Sequence, residues 1–300
     1  MLHGSVLITG GSGTLGQAIV QWAQEHRRNC TFTIYSRSEL RQAEMAAQFP
    51  HLRYVLGDVR DEAQLFAAVA GHDIVIHAAA MKRLPECEAN PQECIQTNVV
   101  GSMNVARAAI KGRVHKVVGI STDKACAAIT TYGASKRAME GIFQQASTHN
   151  TAFTLVRYGN VVASNGSVVP LWRKQARDGH PLSITGSHMT RFWMSRWDAV
   201  KLIDRALMME PGTISVPKMG SLSIREMASI VAPGSPVVEI GLRSCEKIHE
   251  DLIHRDESAI DDGLHYYTID THHESTGITF TSQNARKLTS EEFLAMLEAA

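Results

Sequence analysis

Short β-branched runs alternate with longer segments of three- and four-residue apolar spacing through the first half of the chain. The runs predict strands at 5–9, 31–36, 53–56, 73–78, 116–121 and 153–157, and the spaced segments predict helices at 15–25, 38–48, 62–69, 91–110 and 132–148. Each strand is short and rich in Val, Ile and Thr, and they read as buried. The expectation is an α/β fold with a doubly wound parallel sheet. Beyond about residue 160 the pattern loosens, with short strands at 182–185 and 213–216 among helices at 196–209, 224–231 and 246–253. This predicts a Rossmann-type domain over 1–165, to which the second half returns strand and helix, and a smaller α/β lobe over 166–300 that receives the substrate.

Composition narrows the class. A chain of 300 residues and 32.9 kDa, 44% hydrophobic and 20% charged, suits one large domain with a lobe built on it. Thirty Lys and Arg balance thirty Asp and Glu, which argues against the basic footprint of a nucleic-acid binder and leaves room for a local phosphate pocket. Five cysteines, an odd number without a Cys-x-x-Cys pair, point to a reducing compartment. The longest apolar run, 74–81, is interrupted by His77 and falls far short of a membrane span. Order predicted from Ser5 leaves no room for a targeting segment, so a soluble, cytoplasmic protein is expected.

Gly10-Gly11-Ser12-Gly13-Thr14-Leu15-Gly16 follows the first strand and opens the first helix. Gly10 suits the tight turn, Gly13 a close approach of backbone to a pyrophosphate, and Gly16 close packing of helix on strand. The Gly-x-x-Gly-x-x-Gly spacing resembles the extended short-chain dehydrogenases. Where an NAD site usually offers a carboxylate to the ribose, this chain has Ser36-Arg37-Ser38, which favours the 2′-phosphate of NADP. Asp58, followed by Val59 after the third strand, is placed to accept from the adenine amino group. Ala78-Ala79-Ala80 after the fourth strand lets backbone approach the cofactor.

Tyr132 and Lys136 lie one turn apart on a predicted helix and therefore share a face. An ammonium beside the phenol stabilises the phenolate, which can then take a proton from a sugar hydroxyl as hydride leaves the same carbon. Upstream, Ser121-Thr122-Asp123-Lys124 closes the fifth strand, where this fold places catalytic groups. Thr122 is expected to orient the substrate hydroxyl, and Asp123 and Lys124 add an acid and a base that a simple alcohol dehydrogenase does not need.

The runs Ser121-Thr-Asp-Lys-Ala125 and Tyr132-Gly-Ala-Ser-Lys136-Arg-Ala resemble the C5-inverting UDP-N-acetylglucosamine 4,6-dehydratases, a branch of the extended short-chain dehydrogenase/reductase superfamily in bacterial glycan biosynthesis. His77-Ala-Ala-Ala-Met-Lys82-Arg-Leu-Pro85, Thr97-Asn98, Val156-Arg-Tyr-Gly-Asn160, Gly166-Ser-Val168-Val-Pro170, Met189-Thr190-Arg191-Phe-Trp193 and Gly241-Leu-Arg243 with Glu246-Lys-Ile-His-Glu250 are similar to that family's segments, in the same order. The resemblance implies a tightly bound, recycled NADP. Tyr132 would deprotonate O4, Lys124 would remove the C5 proton and Asp123 would protonate the departing C6 hydroxyl. It also implies cofactor contacts from Lys82 and Asn98. Lys82, Asn160 and Val168 would lie at the sugar and diphosphate, with Thr190, Arg191, Arg243 and Glu246 holding the UDP part. The chain departs from the pattern at Ala127-Ala128, Gly186-Ser187 and Ser244-Cys245, where loop residues change and no catalytic side chain is lost.

Fourteen histidines, among them His249, His254, His265, His272 and His273, show no zinc-type spacing, and no metal is expected. Met208, Met209, Trp193 and Trp197 are expected to pack the second lobe. Wide apolar faces on the 91–110 and 132–148 helices suggest a homo-oligomer. A UDP-sugar 4-epimerase would share Tyr132, Lys136 and the glycine loop but has no use for Asp123-Lys124. A non-catalytic NADP-sensing protein of the same fold would have no use for Tyr132 and Lys136 either.

Overall fold

A computed structural model describes residues 1–164, 168–271 and 273–299. His272, Gly166 and Ser167 of the quoted segments, and the expected domain limit at 165/166, lie outside the described residues. The first half forms β1 (Gly4–Thr9), α1 (Thr14–Glu25), β2 (Cys30–Ser36), α2 (Glu39–Gln48), β3 (Arg53–Leu56), α3 (Glu62–Val69), β4 (Ile74–His77), α4 (Leu84–Ala89), α5 (Pro91–Ile95), α6 (Gly101–Lys111), β5 (Lys116–Ile120), α7 (Thr131–Gln145) and β6 (Ala152–Val156). The second half forms β7 (Asn160–Val161), α8 (Val168–Arg177), β8 (Leu182–Ile184), β9 (Thr190–Met194), α9 (Arg196–Ala206), β10 (Ile214–Pro217), β11 (Gly220–Ser223), α10 (Ile224–Val231), β12 (Val237–Glu239), β13 (Asp251–Ile253), β14 (Ser258–Asp261), β15 (Tyr266–Asp270), β16 (Phe280–Thr281) and α11 (Ser290–Glu298).

The apolar runs do assemble a doubly wound sheet. Among the described residues it has nine strands in the order β14-β15-β10-β6-β5-β4-β1-β2-β3. Strands β10 to β3 pair parallel, while β15 and β14 add an antiparallel edge. β1 has β2 on one side and β4 on the other, so the winding reverses there and opens a crevice beyond the carboxyl ends of β1 and β4. The sheet and its covering helices bury one large core. A second core joins Trp172 of α8, Trp193 of β9, Met227 of α10 and Phe293 of α11.

The predicted 91–110 helix forms and runs on without interruption through a π-helical turn, Gln96–Val100, which carries Thr97 and Asn98. Two local expectations are corrected. The predicted 246–253 helix does not form. Its backbone runs alongside β9, with Thr190 N–H donating to the Ile248 carbonyl at 3.1 Å, before pairing as β13 with β16. Lys247 is drawn to the Cys126 carbonyl at 2.8 Å, so contacts with distant segments override local helix propensity. Trp197 and Met209 pack against the sheet core, because α9 lies on the sheet, and Met208 is 69% exposed; Trp193 alone of the four lies in the second core.

Candidate active site

The crevice holds a cleft of about 1010 Å³. Gly10, at φ +68°, turns the chain out of β1, and a Cβ there would stand 2.8 Å from the Ala79 backbone. Only glycine allows this approach of the two loops. Gly13 is the N-cap of α1, and Gly16 packs α1 onto the loop without lining the cleft. Ser12, Thr14, Leu15 and Val59 line it together with Ala78, Ala79 and Ala80. Ser12 Oγ donates to Ser36 Oγ at 2.9 Å, and Gln42 holds Ser36 through its side chain and carbonyl at 3.0 and 3.1 Å.

Arg37 and Ser38 line the same end, with Arg37 3.7 Å from Asp58. Asp58 itself lies beside the cleft and is taken up by Arg60 at 2.6 and 2.8 Å. Burial alone would raise its carboxyl, but Arg60 and Arg37 outweigh that and hold it below the usual range. Arg41, which the sequence reading missed, also lines this end. Its signal was its place one turn after Arg37 on the helix that opens there. Lys82 lines the cleft opposite, its amine lowered from the lysine value by burial and by the charge of Arg41. Asn98 stands behind the wall, bonding the Met81 N–H and carbonyl, each at 2.8 Å, and donating to Ser135 at 2.9 Å.

At the floor, Thr122, Asp123 and Lys124 leave β5 in a short 3-10 turn. Thr122 Oγ1 donates to Asp123 Oδ1 at 2.8 Å, and Lys124 Nζ donates to the same oxygen at 3.1 Å. Asp123 is fully buried, and its Oδ2 has no hydrogen-bond partner among the described residues. Glu250 reaches Lys124 from the other side at 3.3 Å. Burial favours the neutral amine, yet Asp123 and Glu250 together hold the Lys124 pKa above the ordinary lysine value. α7 comes close to this turn because residue 133 is glycine; a Cβ there would meet the Lys124 carbonyl at 2.1 Å.

Tyr132 and Lys136 on α7 line the cleft beside the turn. Burial pushes the Tyr132 phenol up to about 12 against the pull of Lys124 and a hydrogen bond with Thr122. Burial also lowers Lys136 to about 8, against the pull of Glu140, and its Nζ donates to Met139 Sδ at 3.1 Å. Among the nearby charges Lys124 pulls the Tyr132 phenol down, while Lys136 follows it one turn along α7.

A family model described as polysaccharide biosynthesis protein matches residues 6–271. The chain belongs to this family. Among curated relatives, a UDP-N-acetylglucosamine 4,6-dehydratase (inverting) of Campylobacter jejuni is 44% identical over 262 residues, covering 85% of this chain and 78% of the relative. A UDP-glucose 4-epimerase of Rickettsia canadensis is 36% identical, covering 98% of this chain and 95% of that one. The solved structure of Pen from Bacillus thuringiensis has a TM-score of 0.90 at 32% identity, covering 99% of this chain and 98% of the other.

In this member of the polysaccharide biosynthesis family the far end of the cleft is lined by Asn160, Val168, Arg191, Arg243 and Glu246. Arg191 is 6% exposed, donates to the carbonyls of Thr190 at 2.8 Å and Ile248 at 3.0 Å, and lies 3.3 Å from Glu246. The Arg243 N–H donates to Glu246 Oε2 at 3.2 Å. Thr190 stands outside the lining, its Oγ1 held by His249 at 2.8 Å and Ser282 at 2.7 Å. Tyr158 and Trp172 line the cleft and Glu250 closes its floor, all three missed as site residues in the sequence. Tyr158 and Glu250 sit inside segments already singled out by resemblance, whereas nothing in the sequence marks Trp172 as other than core.

Proposed function

We propose that the protein is an NADP-dependent nucleotide-sugar 4,6-dehydratase, a hydro-lyase that removes water from UDP-N-acetylglucosamine and inverts C5. The observation that carries this reading is the Lys124–Asp123 pair, 3.1 Å apart on the cleft floor beside Tyr132. The open loop backbone between Gly10 and Gly13 and the cations Arg37 and Arg41 fit a dinucleotide with a 2′-phosphate. That cofactor supplies a hydride acceptor for C4 and later a hydride for C6.

Tyr132 removes the O4 proton as the C4 ketone forms, and the ketone acidifies the proton on C5. Moving the proton that Lys124 and Asp123 share from Nζ to Oδ1 makes a free amine and a carboxylic acid together. The amine takes the C5 proton and the acid protonates the departing C6 hydroxyl, so the C5–H and C6–O bonds break and water forms. The pair then carries one proton again, as at the start. A proton from solvent reaches C5 from the opposite face and completes the inversion, and Tyr132 gives the O4 proton up to solvent, so the protein ends in its starting protonation state. Arg191 and Arg243 suit the diphosphate by their forked donors, and Glu246 suits the ribose hydroxyls.

Epimerisation returns hydride to C4 and needs no elimination acid or base, so the pair favours dehydration over the activity named for the Rickettsia relative. The same reading has the protein in the cytoplasm, where thiols stay reduced, as a homo-oligomer meeting through the 91–110 and α7 helices, on the first of which Ile95 and Ile110 are exposed. Incubation with UDP-N-acetylglucosamine, followed by product mass and NMR assignment of C5, tests it. Loss of one water with inversion is expected. UDP-N-acetylgalactosamine of unchanged mass would move the assignment to an epimerase, and unchanged substrate over bound NADP would move it to a sensing protein.

A further inference from the structure

Two cations on the cleft floor converge on one buried carboxylate that the mechanism above does not use. Glu250 is 4% exposed and sits on the segment leading into β13, its backbone N–H anchored to Ser282 Oγ at 2.9 Å. Its Oε1 lies 3.3 Å from Lys124 Nζ and 3.8 Å from Arg191 Nε. Its Oε2 is buried with no hydrogen-bond partner among the described residues, and a cavity of about 50 Å³ lies beside it, lined by Lys124, Arg191, Lys247 and Thr130.

A second cation so near would push Lys124 away from Arg191 and out of reach of Asp123 unless a negative charge stood between them. Glu250 is that charge. Lys247, the next nearby cation, is committed to Asp251 and the Cys126 carbonyl, both at 2.8 Å. The other ionisable groups facing Lys124 are Asp123 from its own turn, Arg191 from β9 and Tyr132 from α7.

We propose that Glu250 is a positioning residue for the reaction, holding Lys124 Nζ against Asp123 and screening it from the nucleotide-binding Arg191. This rests on the dehydratase reading, in which Lys124 acts as the base. Glu250 fixes where the amine stands and how firmly it keeps its proton. The pH at which Lys124 becomes a free amine is therefore set by a residue on the far side of the chain.

Glu250→Gln keeps the shape and removes the charge, and Glu250→Asp keeps the charge one methylene further away. With Gln the Lys124 amine is expected to titrate about one pH unit or more lower, a roughly tenfold change in its protonation ratio. With the amine no longer held against Asp123, kcat for loss of water should fall about tenfold at little-changed KM, and Asp should restore both in part. The titration is followed by NMR of lysine-labelled protein, assigned with Lys124→Arg, and thermal unfolding reports folding separately. An unchanged kcat together with an unmoved Lys124 titration in Glu250→Gln would overturn the proposal and leave the dehydratase reading intact. Absence of dehydration in the wild type would overturn that reading instead, and the NMR titration alone would still decide the role of Glu250.

Discussion

Arg157 at the end of β6 is fully buried and binds two carboxylates from distant segments. It reaches Glu140 of α7 at 2.8 and 2.7 Å and Glu257, just before β14, at 2.9 and 2.8 Å, and it donates to the Leu252 carbonyl at 2.9 Å. Arg157→Met fills much of the same volume but leaves Glu140, with no side-chain exposure, facing only Arg137 at 3.9 Å, and takes the bound cation from Glu257, whose side chain is 20% exposed. Removing one partner from such a buried pair destabilises by about 3–5 kcal/mol. For a chain of this size that is a fall in Tm of roughly 5–8 °C. The sign with pH follows from Glu257. Burial would raise its carboxyl, but hydrogen bonds and charge from Arg157 outweigh that and hold it below the usual range. Its contribution in the wild type is therefore present above the unfolded value of about 4.3 and is lost as pH falls through its lower folded value. In the variant burial prevails, the folded pKa rises, and the destabilisation is full only above that raised value. The gap in Tm between wild type and variant should be larger at about pH 8 than at about pH 5, measured by thermal unfolding at both. A loss under about 2 °C, or one equal at the two pH values, refutes the assignment of Arg157 as the tie between α7 and the C-terminal segment.

Lys124→Ala should slow loss of water by about 100-fold or more while NADP is still reduced, measured by reduced-cofactor absorbance and product mass; wild-type dehydration would reject the base assignment. Arg37→Ala should weaken NADP about 10–100-fold and leave NAD binding unchanged, since a charge-assisted hydrogen bond contributes about 1.5–3 kcal/mol. Equal loss for both nucleotides in a fluorescence titration would show that Arg37 does not meet the 2′-phosphate. Exposed Ala127 has φ +44°, a region that an alanine adopts at a penalty of about 1–2 kcal/mol and asparagine tolerates better. Ala127→Asn should therefore raise Tm by about 2 °C, and an unchanged or lower Tm would show that the loop carries no such strain.

The parallel sheet was legible because each strand is an apolar run bounded by turn residues, and β3 and α3 fall where the pattern puts them. The glycine loop and the Tyr132–Lys136 spacing were legible because each needs only a few neighbouring residues. What the sequence hid is made of long-range contacts. The 246–253 segment has helical spacing, yet its backbone bonds to β9 and its side chains reach the catalytic turn, and neither partner is visible from within eight residues. Glu250 escaped notice for the same reason, since it gains its meaning from cations contributed by other segments. The π turn at Gln96–Val100 is likewise invisible to an apolar period, which it shifts by a single residue.

The electrostatic arrangement of the cleft follows from one constraint. A chain with equal numbers of positive and negative side chains must gather cations where phosphates are to bind, and each gathered cation repels its neighbours until something offsets it. Here the offsets are carboxylates already in place: Asp58 beside Arg37, Glu246 beside Arg191, and Asp123 with Glu250 around Lys124. On the proposed assignment of Arg37 and Arg191 to phosphates, ligand binding at the two ends would be an exchange, in which a phosphate takes over an arginine and its carboxylate turns to water or to a hydroxyl of the ligand. At the centre no such exchange is available, because Asp123 and Glu250 are buried and the reacting sugar brings no charge. The Lys124 cluster therefore keeps its charges when the ends exchange theirs, so salt and phosphate analogues should act on nucleotide affinity far more than on the elimination step.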